Sequence, residues 1–551
     1  MNICTGSPPD RHSRTSAHND MSITDLWHAQ LVRGADGPAL TSYQAGEDGP
    51  VSFTYAELDT VVTRMAAGMA AMGVEKGGVV SCQLPNCWQM TALLLACARL
   101  GAVFNPLMPI FRERELRFML DHARSHLLIV PQRFRGFDYA GMVQGLRAEL
   151  PELRHVLVIG ADGDNSFEQQ LLNQEWETRC DTQSLFAQRH PHADDIVQLL
   201  FTSGTTGEPK GVLHTSSTLL NNVSPYAERL ALGRDDIIFM ASPMAHQTGF
   251  LYGMLMPIYL GASAVLQDVW DARTAMKIIA AERPTFTMAS TPFLADLIEL
   301  APEHRDALSS LRIFVSAGAP IPESLVEKAG NSLNAKIVSA WGMTETGAVT
   351  MTRPQDDPQR AIFTDGVALP LAAVRVVDDA GLEIPAGREG HLQVRGDSLF
   401  VGYLKRPDLY SVDAQGWFAT GDLARMDDQG YIRITGRTKD VVIRGGENIP
   451  VVEVENLLYK HPGISAVALV GCPDERLGER LCAYVTLHDG YTDLSLEDAV
   501  AFLVEHNLSR NYLPEYLEVL PALPRTPSGK IQKFKLHERA ASIRIDPVRR
   551  R

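Results

Sequence analysis

From Thr54 onward two hydrophobic periods alternate along the chain, and this alternation restricts the fold more than any other feature. Thr54 and Glu57 are spaced as a capping box. Leu58, Val61, Val62, Met65, Met69 and Met72 follow at helical spacing until Gly73 ends the run. Val79 to Leu84 is an apolar run of strand length that ends at Pro85-Asn86. A second helical pattern covers Met90 to Leu100, closes at Gly101 and leads into another extended piece. Helix, strand, helix, strand in this rhythm predicts a parallel sheet covered on both faces.

The pattern changes after about Thr364. Val374 to Val377, His391 to Arg395 and Tyr431 to Thr435 are short alternating runs separated by Gly and Asp, and they predict a small antiparallel barrel. Beyond Asp440 a helix around Val451 to Tyr459, strands near Ala466 to Val470 and Ala483 to Leu487, and a helix capped by Ser495-Leu-Glu-Asp498 make a compact α+β module. The fold class is therefore α/β and multidomain: doubly wound sheets plus the small barrel in a large N-terminal part, then a small α+β domain. At about 150 residues per domain, 551 residues correspond to three to four folding units.

From Ile237 to Gln267 no residue carries a formal charge, with His246 neutral, and Gly249 and Gly253 form GxxxG. Length alone suggests a membrane span. Pro243, His246, Gln247, Pro257 and Gly261 break the run, so a buried helix and a strand from Ser263 to Leu266 are predicted instead. The net charge of −15 argues against a broad nucleic-acid footprint. Seven cysteines with no CxxC pair imply reduced thiols rather than a disulfide framework or a zinc site. Residues 1–22 lack an apolar signal core and are read as a disordered extension, which makes the expected location cytoplasmic.

The segment richest in chemistry is Leu200-Phe-Thr-Ser-Gly-Thr-Thr-Gly-Glu-Pro-Lys210-Gly211. An apolar strand enters a loop with hydroxyls, glycines and one lysine. Glycine lets backbone N–H groups approach phosphate oxygens, hydroxyls donate to them, and lysine adds positive charge. Two residues separate Gly204 from Gly207, and Gly211 follows the lysine, so this is not a Walker A loop. Further along lie Trp341-Gly-Met-Thr-Glu345, Gly416-Trp-Phe-Ala-Thr-Gly-Asp422, Gly436-Arg-Thr-Lys-Asp440, Arg444-Gly-Gly-Glu-Asn-Ile449 and Pro524-Arg-Thr-Pro-Ser-Gly-Lys530. In this order and spacing, over roughly residues 25 to 540, they resemble the adenylate-forming superfamily of acyl- and aryl-CoA ligases, luciferases and peptide-synthetase adenylation domains. Thr291-Pro-Phe293 and Asp474-Glu-Arg-Leu-Gly-Glu-Arg480 are most similar to bacterial medium-chain acyl-CoA and cyclohexanecarboxylate-CoA ligases.

The resemblance implies a role for each position. Thr202, Ser203, Gly204, Thr205, Thr206, Gly207 and Lys210 would cradle phosphates. Trp341 would stack on adenine, Asp422 would take the ribose hydroxyls, and Arg437 would meet ribose and phosphate. Thr344 would contact phosphate and Glu345 would hold Mg²⁺, as suits a hard cation. These two follow a strand-like run, Lys336 to Ala340, at the end where α/β sheets bind ligands, although Thr-Glu taken alone also reads as a helix N-cap. Asp422 taken alone reads as a turn residue. Lys530 would neutralise the charge that builds between the attacking carboxylate and the departing pyrophosphate; taken alone it is a solvated lysine. Ala317, Gly318 and Ala319 would lie between acyl group and adenine, with Gly342 and Met343 on the far side. His246 reads equally as a liner of the carboxylate end or as a satisfied core histidine. Gly445 and Gly446 would flank the pantetheine path.

The implied enzyme is an AMP-forming acid–thiol ligase using ATP, CoA and Mg²⁺. Its substrate is expected to be an apolar medium-chain fatty or alicyclic acid such as cyclohexanecarboxylate, because no Asp stands between Ile237 and Gln267 to hold an amino group. Residues 23–438 would form the large domain binding acid and ATP, and residues 439–551 a small mobile domain with its hinge near Lys439. A stand-alone adenylation enzyme loading a carrier protein is the alternative. A non-catalytic adenylate-binding scaffold would be expected to have lost Lys530 or Glu345, and both are present. The expected partners are small molecules only, with no nucleic acid, no transmembrane segment, and a homodimer allowed for.

Overall fold

The computed structural model describes residues 20–543 except 203–208, 304–306, 319–320, 322, 334, 439–441, 445–446, 450, 475–476, 507, 509–511, 527–528 and 542. The alternating segment folds as its periodicity predicts. Thr54 caps the helix Tyr55–Ala71: its hydroxyl accepts the Glu57 N–H at 3.2 Å, and the Glu57 carboxylate accepts the Thr54 N–H at 2.8 Å. The next strand is Val79–Cys82, two residues shorter than its apolar run, although the Gln83 N–H still donates to the Ile129 carbonyl. Helix Trp88–Leu100 is buried along its whole length and ends at Gly101, whose φ of 64° is the left-handed conformation glycine adopts without strain.

Two sheets carry the large part. One has seven strands, in the order Gly402–Tyr403, Lys210–Thr215, Ile196–Thr202, Val103–Pro106, Val79–Cys82, Leu127–Pro131, His155–Ile159. The other has nine, of which Lys336–Met343, Ile313–Ala317, Phe286–Ala289, Ile237–Met240, Ser263–Gln267 and Pro38–Tyr43 run parallel in that order. Antiparallel strands flank this parallel block on both sides. The largest hydrophobic cluster joins residues of both sheets to helix Trp88–Leu100 and helix Ser216–Arg229.

The uncharged stretch is core. Phe250–Leu255 and Met256–Leu260 form a continuous buried helical segment, Gly261 turns it at φ 70°, and Ser263–Gln267 re-enters the sheet. A Cβ on Gly249 would stand 2.3 Å from the Pro243 carbonyl oxygen, and one on Gly253 would stand 2.5 Å from Met240. Gly253 thus lets the segment press on strand Ile237–Met240, and Gly249 on the Pro243–Met244 backbone that follows it. Among the described residues no helix is long and apolar enough to cross a membrane.

The antiparallel region is present, but the expected barrel is an open sheet among the described residues. Ala372–Val377, Glu389–Gly396, Phe418–Met426 and Ile432–Arg437 pair one after the next. The α+β module then builds a sheet around the long hairpin Ile464–Asp474 and Gly478–Leu487. Helices Val451–Leu458 and Leu496–Glu505 pack on one of its hydrophobic clusters and Lys533–Ala540 on the other. Cys82, Cys87, Cys97, Cys472 and Cys482 are buried and free, Cys180 is exposed, and no group of metal-ligating side chains forms among the described residues.

Candidate active site

Motifs far apart in sequence meet in one cleft. Strand Ile196–Thr202 and strand Lys210–Thr215 form an antiparallel hairpin in which Thr202 faces Lys210. Of the phosphate-loop positions, Ser203, Gly204, Thr205, Thr206 and Gly207 lie outside the described residues. The two stems of the hairpin are fixed: the Thr202 hydroxyl donates to the Lys210 carbonyl at 3.5 Å, and Lys210 Nζ stands 5.0 Å from the centre of the Tyr403 ring.

Trp341, Gly342 and Met343 end strand Lys336–Met343, and Thr344 and Glu345 occupy the turn to strand Gly347–Met351. The pair is therefore a hairpin turn, not a helix N-cap. This turn is held tightly. His214 Nε2 donates to the Thr344 carbonyl at 2.8 Å, a partner that fixes the proton on that nitrogen. The Phe400 N–H donates to the Glu345 carbonyl at 2.8 Å. Asn222 donates to the carbonyls of Thr346 and Ala348 at 3.0 and 2.8 Å, and the Tyr252 hydroxyl donates to Asn222 Oδ1 at 2.8 Å. Glu345 is buried, and its Oε1 accepts the Tyr403 hydroxyl at 2.7 Å.

Asp422 lies within strand Phe418–Met426 rather than in a turn, two residues after Thr420, whose hydroxyl accepts the Asp422 N–H at 3.0 Å. Gly421, at φ 76°, supplies the local bend that looked like a turn in the sequence. The buried carboxylate accepts the Trp341 indole N–H at 3.1 Å on Oδ2 and the Arg437 Nε–H at 2.8 Å on Oδ1. Arg437 is its cross-strand partner.

The turn bearing Lys530 reaches this cleft from the C-terminal module. A Cβ on Gly318, at the end of strand Ile313–Ala317, would stand 3.2 Å from Lys530 Cε, and one on Gly529 would stand 2.6 Å from Ser290 Oγ. Both glycines also sit at left-handed φ, 90° and 85°, where a side chain would be strained. Lys530 keeps a surface open to solvent, but the protein packed around the cleft strips water from its ammonium. That desolvation, with Arg437 nearby, holds its pKa below the usual lysine value, while Asp422 and Glu345 pull the other way. Burial, and then Lys530, lower His246 to about 4, so it is neutral at ordinary pH; its Nδ1 accepts the Thr248 N–H at 3.3 Å.

Lys210, His246, Ala317, Gly318, Trp341, Gly342, Met343, Thr344, Glu345, Asp422, Arg437 and Lys530 are thus placed by the structure as described, along with Thr202. Ala319, Gly445, Gly446 and the hinge candidate Lys439 lie outside the described residues. Tyr403, His214, Asn222 and Tyr252 escaped the sequence reading, because nothing local marks a buried Tyr, His or Asn as a holder of a distant turn.

A family profile for AMP-binding enzymes matches residues 27–404, and the profile for their C-terminal domain matches residues 453–530. The chain belongs to the AMP-binding enzyme family. It is 36% identical, over 94% of its own length and 90% of the relative, to a medium-chain fatty-acid–CoA ligase of Escherichia coli (strain K12). It is 33% identical to a putative acyl-CoA synthetase, YngI, of Bacillus subtilis (strain 168), over 90% and 93% of the two chains. Among solved structures, the anthranilate CoA ligase AuaEII in complex with anthranoyl-AMP superimposes with a TM-score of 0.83 at 25% identity, covering 95% of this chain and 97% of that one. This AMP-binding enzyme is an acid–thiol ligase that works through an acyl-adenylate and uses ATP and CoA.

Proposed function

We propose that this enzyme activates an apolar medium-chain or alicyclic acid in the cytoplasm. The observation that carries the reading is the lack of formal charge in the two segments that come near Lys530, those around His246 and Gly318. Ala245, Phe250 and Val315 are buried, Ala317 ends strand Ile313–Ala317 with Gly318 directly after it, and no acidic residue occurs from Ile237 to Gln267. An ammonium or second carboxylate buried there without a partner would cost several kcal/mol. Each methylene buried adds about 0.8 kcal/mol, so efficiency should climb from acetate towards longer or ring-bearing acids. The relative at 36% identity, a medium-chain ligase, supports the same direction.

In this reading the substrate carboxylate attacks the α-phosphorus of ATP, giving acyl-adenylate and pyrophosphate, and the CoA thiol then attacks the acyl carbon and displaces AMP. Trp341 stacks on adenine while Asp422 and Arg437 hold the ribose side. Thr202 to Gly207 and Lys210 cradle the phosphates with Thr344, and Lys530 faces the charge that builds in the first step. Gly445 and Gly446 line the pantetheine path. The large domain, residues 23–438, holds acid and nucleotide, and residues 439–551 turn about Lys439 between the half-reactions. Glu345 fits a Mg²⁺ ligand: it is a hard oxygen donor whose Oε2 has no hydrogen-bond partner among the described residues. Mg²⁺ held there would neutralise phosphate charge.

Pyrophosphate exchange and thioester formation with acetate, hexanoate, octanoate, cyclohexanecarboxylate, benzoate and an amino acid test the reading, with a phosphopantetheinyl carrier protein as alternative acceptor. A graded rise towards the medium-chain and alicyclic acids, with CoA as acceptor, is expected. Best exchange with acetate or an amino acid, or transfer only to the carrier protein, would overturn it.

A further inference from the structure

Of the groups that hold the Thr344–Glu345 turn, only Tyr403 touches the carboxylate itself. Tyr403 comes from the two-residue strand Gly402–Tyr403, which pairs antiparallel with Lys210–Thr215 so that Val212 faces Tyr403. The strand that begins at Lys210 therefore positions the ring over which the Lys210 ammonium stands at 5.0 Å. The other end of that side chain, its hydroxyl, donates to Glu345 Oε1 at 2.7 Å. The ring is buried and packed against Phe400, with centroids 4.7 Å apart, so it has little freedom to turn.

This arrangement puts two opposite charges against different parts of one side chain. Among the described residues neither Lys210 nor Glu345 forms an ion pair, although both lie beside the same ring. The ring face holds the ammonium through its quadrupole. The hydroxyl fixes one carboxylate oxygen and so sets the direction of the other, as groups around a metal ligand commonly do.

We propose that Tyr403 is a positioning residue that holds Lys210 and Glu345 apart and in fixed register, so that a triphosphate and its divalent cation meet a preset pair. The proposal rests on the roles given above to Glu345 and Lys210. Two functions are carried by separate parts of one side chain, and two variants separate them. Tyr403→Phe keeps the ring and loses the hydroxyl. Tyr403→Leu loses both.

The test is Mn²⁺ binding, followed by electron paramagnetic resonance in the presence of α,β-methylene-ATP, alongside AMP and pyrophosphate affinities and thermal melting. Tyr403→Phe should weaken Mn²⁺ binding about tenfold, the scale of one lost hydrogen bond to a charged group, with AMP affinity unchanged and only a small drop in melting temperature. Its adenylation rate should recover at high Mg²⁺, which marks a KM effect rather than a kcat effect. Tyr403→Leu should in addition weaken pyrophosphate. Glu345→Gln is the control. If it leaves Mn²⁺ affinity untouched, the role given to Glu345 falls and this proposal with it. If Glu345→Gln weakens Mn²⁺ and Tyr403→Phe does not, the proposal alone is overturned. Equal losses of AMP, Mn²⁺ and thermal stability in Tyr403→Phe would overturn it as well, by showing a purely structural tyrosine.

Discussion

Replacing Asp422 by Asn tests the nucleotide side of the cleft with little change of shape. The carboxylate takes N–H groups on both oxygens, Arg437 at 2.8 Å and Trp341 at 3.1 Å. An amide can accept only one of them and turns an NH₂ group towards the other, so two donors face each other and Trp341 loses its anchor. Arg437 is 45% exposed, so the ion pair itself is worth no more than about 1 kcal/mol and the protein should remain folded. Nucleotide binding should suffer more. A hydrogen bond from a ribose hydroxyl to a charged acceptor is worth about 1.5–3 kcal/mol, which corresponds to roughly a 10–150-fold loss of affinity for AMP. Calorimetry with AMP and with 2′-deoxy-AMP, on both proteins, makes a double-mutant cycle. The parent should lose affinity when the hydroxyl is removed, and Asp422→Asn should lose almost none. If the two losses simply add, Asp422 does not read the ribose, and its burial serves only Trp341 and Arg437.

Other substitutions probe the remaining groups. Lys530→Ala should lower pyrophosphate exchange about 10²–10³-fold, the scale of one lost charge-stabilising donor, and leave thioester formation from synthetic acyl-adenylate unchanged; equal loss in both steps would sink the assignment. A Cβ at Gly342 would stand 2.1 Å from the Gly347 carbonyl oxygen and 2.6 Å from Ala348 Cα, so Gly342→Ala must displace the Thr344–Glu345 turn. It should cost about 1–3 kcal/mol in urea denaturation and raise the KM for ATP, whereas a parent-like variant would mean the hairpin yields freely. For His246 the unfolded chain binds a proton near pH 6.5, but the folded chain does so only at about 4. Stability should therefore fall as pH is lowered through that window, by about 1–2 kcal/mol at pH 5, and His246→Gln should flatten this part of the urea midpoint profile. An unchanged profile would show that His246 takes up its proton in the folded state.

What the sequence revealed and what it hid divide along a physical line. Helix Tyr55–Ala71 was legible because its cap and its apolar stripe lie within one continuous stretch. The residues proposed to do chemistry were legible for a similar reason: loops such as Trp341 to Glu345 carry unusual residue types side by side. Their supports were not. Trp341 and Asp422 are 81 residues apart, Tyr403 and Glu345 are 58 apart, and Asn222 and Ala348 are 126 apart. No local pattern encodes such pairs. The antiparallel strands were visible one by one, but whether they close into a barrel depends on pairing between non-neighbouring edges, and periodicity does not report that. Asp422 was misplaced because Thr420 and Gly421 have turn chemistry, and the strand absorbs them with one positive-φ glycine.

The charges gathered in the cleft also bear on how the two proposed half-reactions follow each other. Lys530 lies near Arg437, Asp422 and Glu345, and one of the two carboxylates is already engaged by Arg437. Lys530 consequently stands in a site that disfavours its own charge, through lost hydration and through Arg437. A triphosphate reverses that balance, because its negative charge lies where Lys530 lacks a full partner, so nucleotide should stabilise the C-terminal module in the position seen here. Loss of pyrophosphate removes most of that negative charge and leaves a mixed acyl–phosphate anhydride with a single negative charge. In the proposed cycle the hold on Lys530 should then weaken at the step where the module turns away, which would give the order of the two half-reactions a direction.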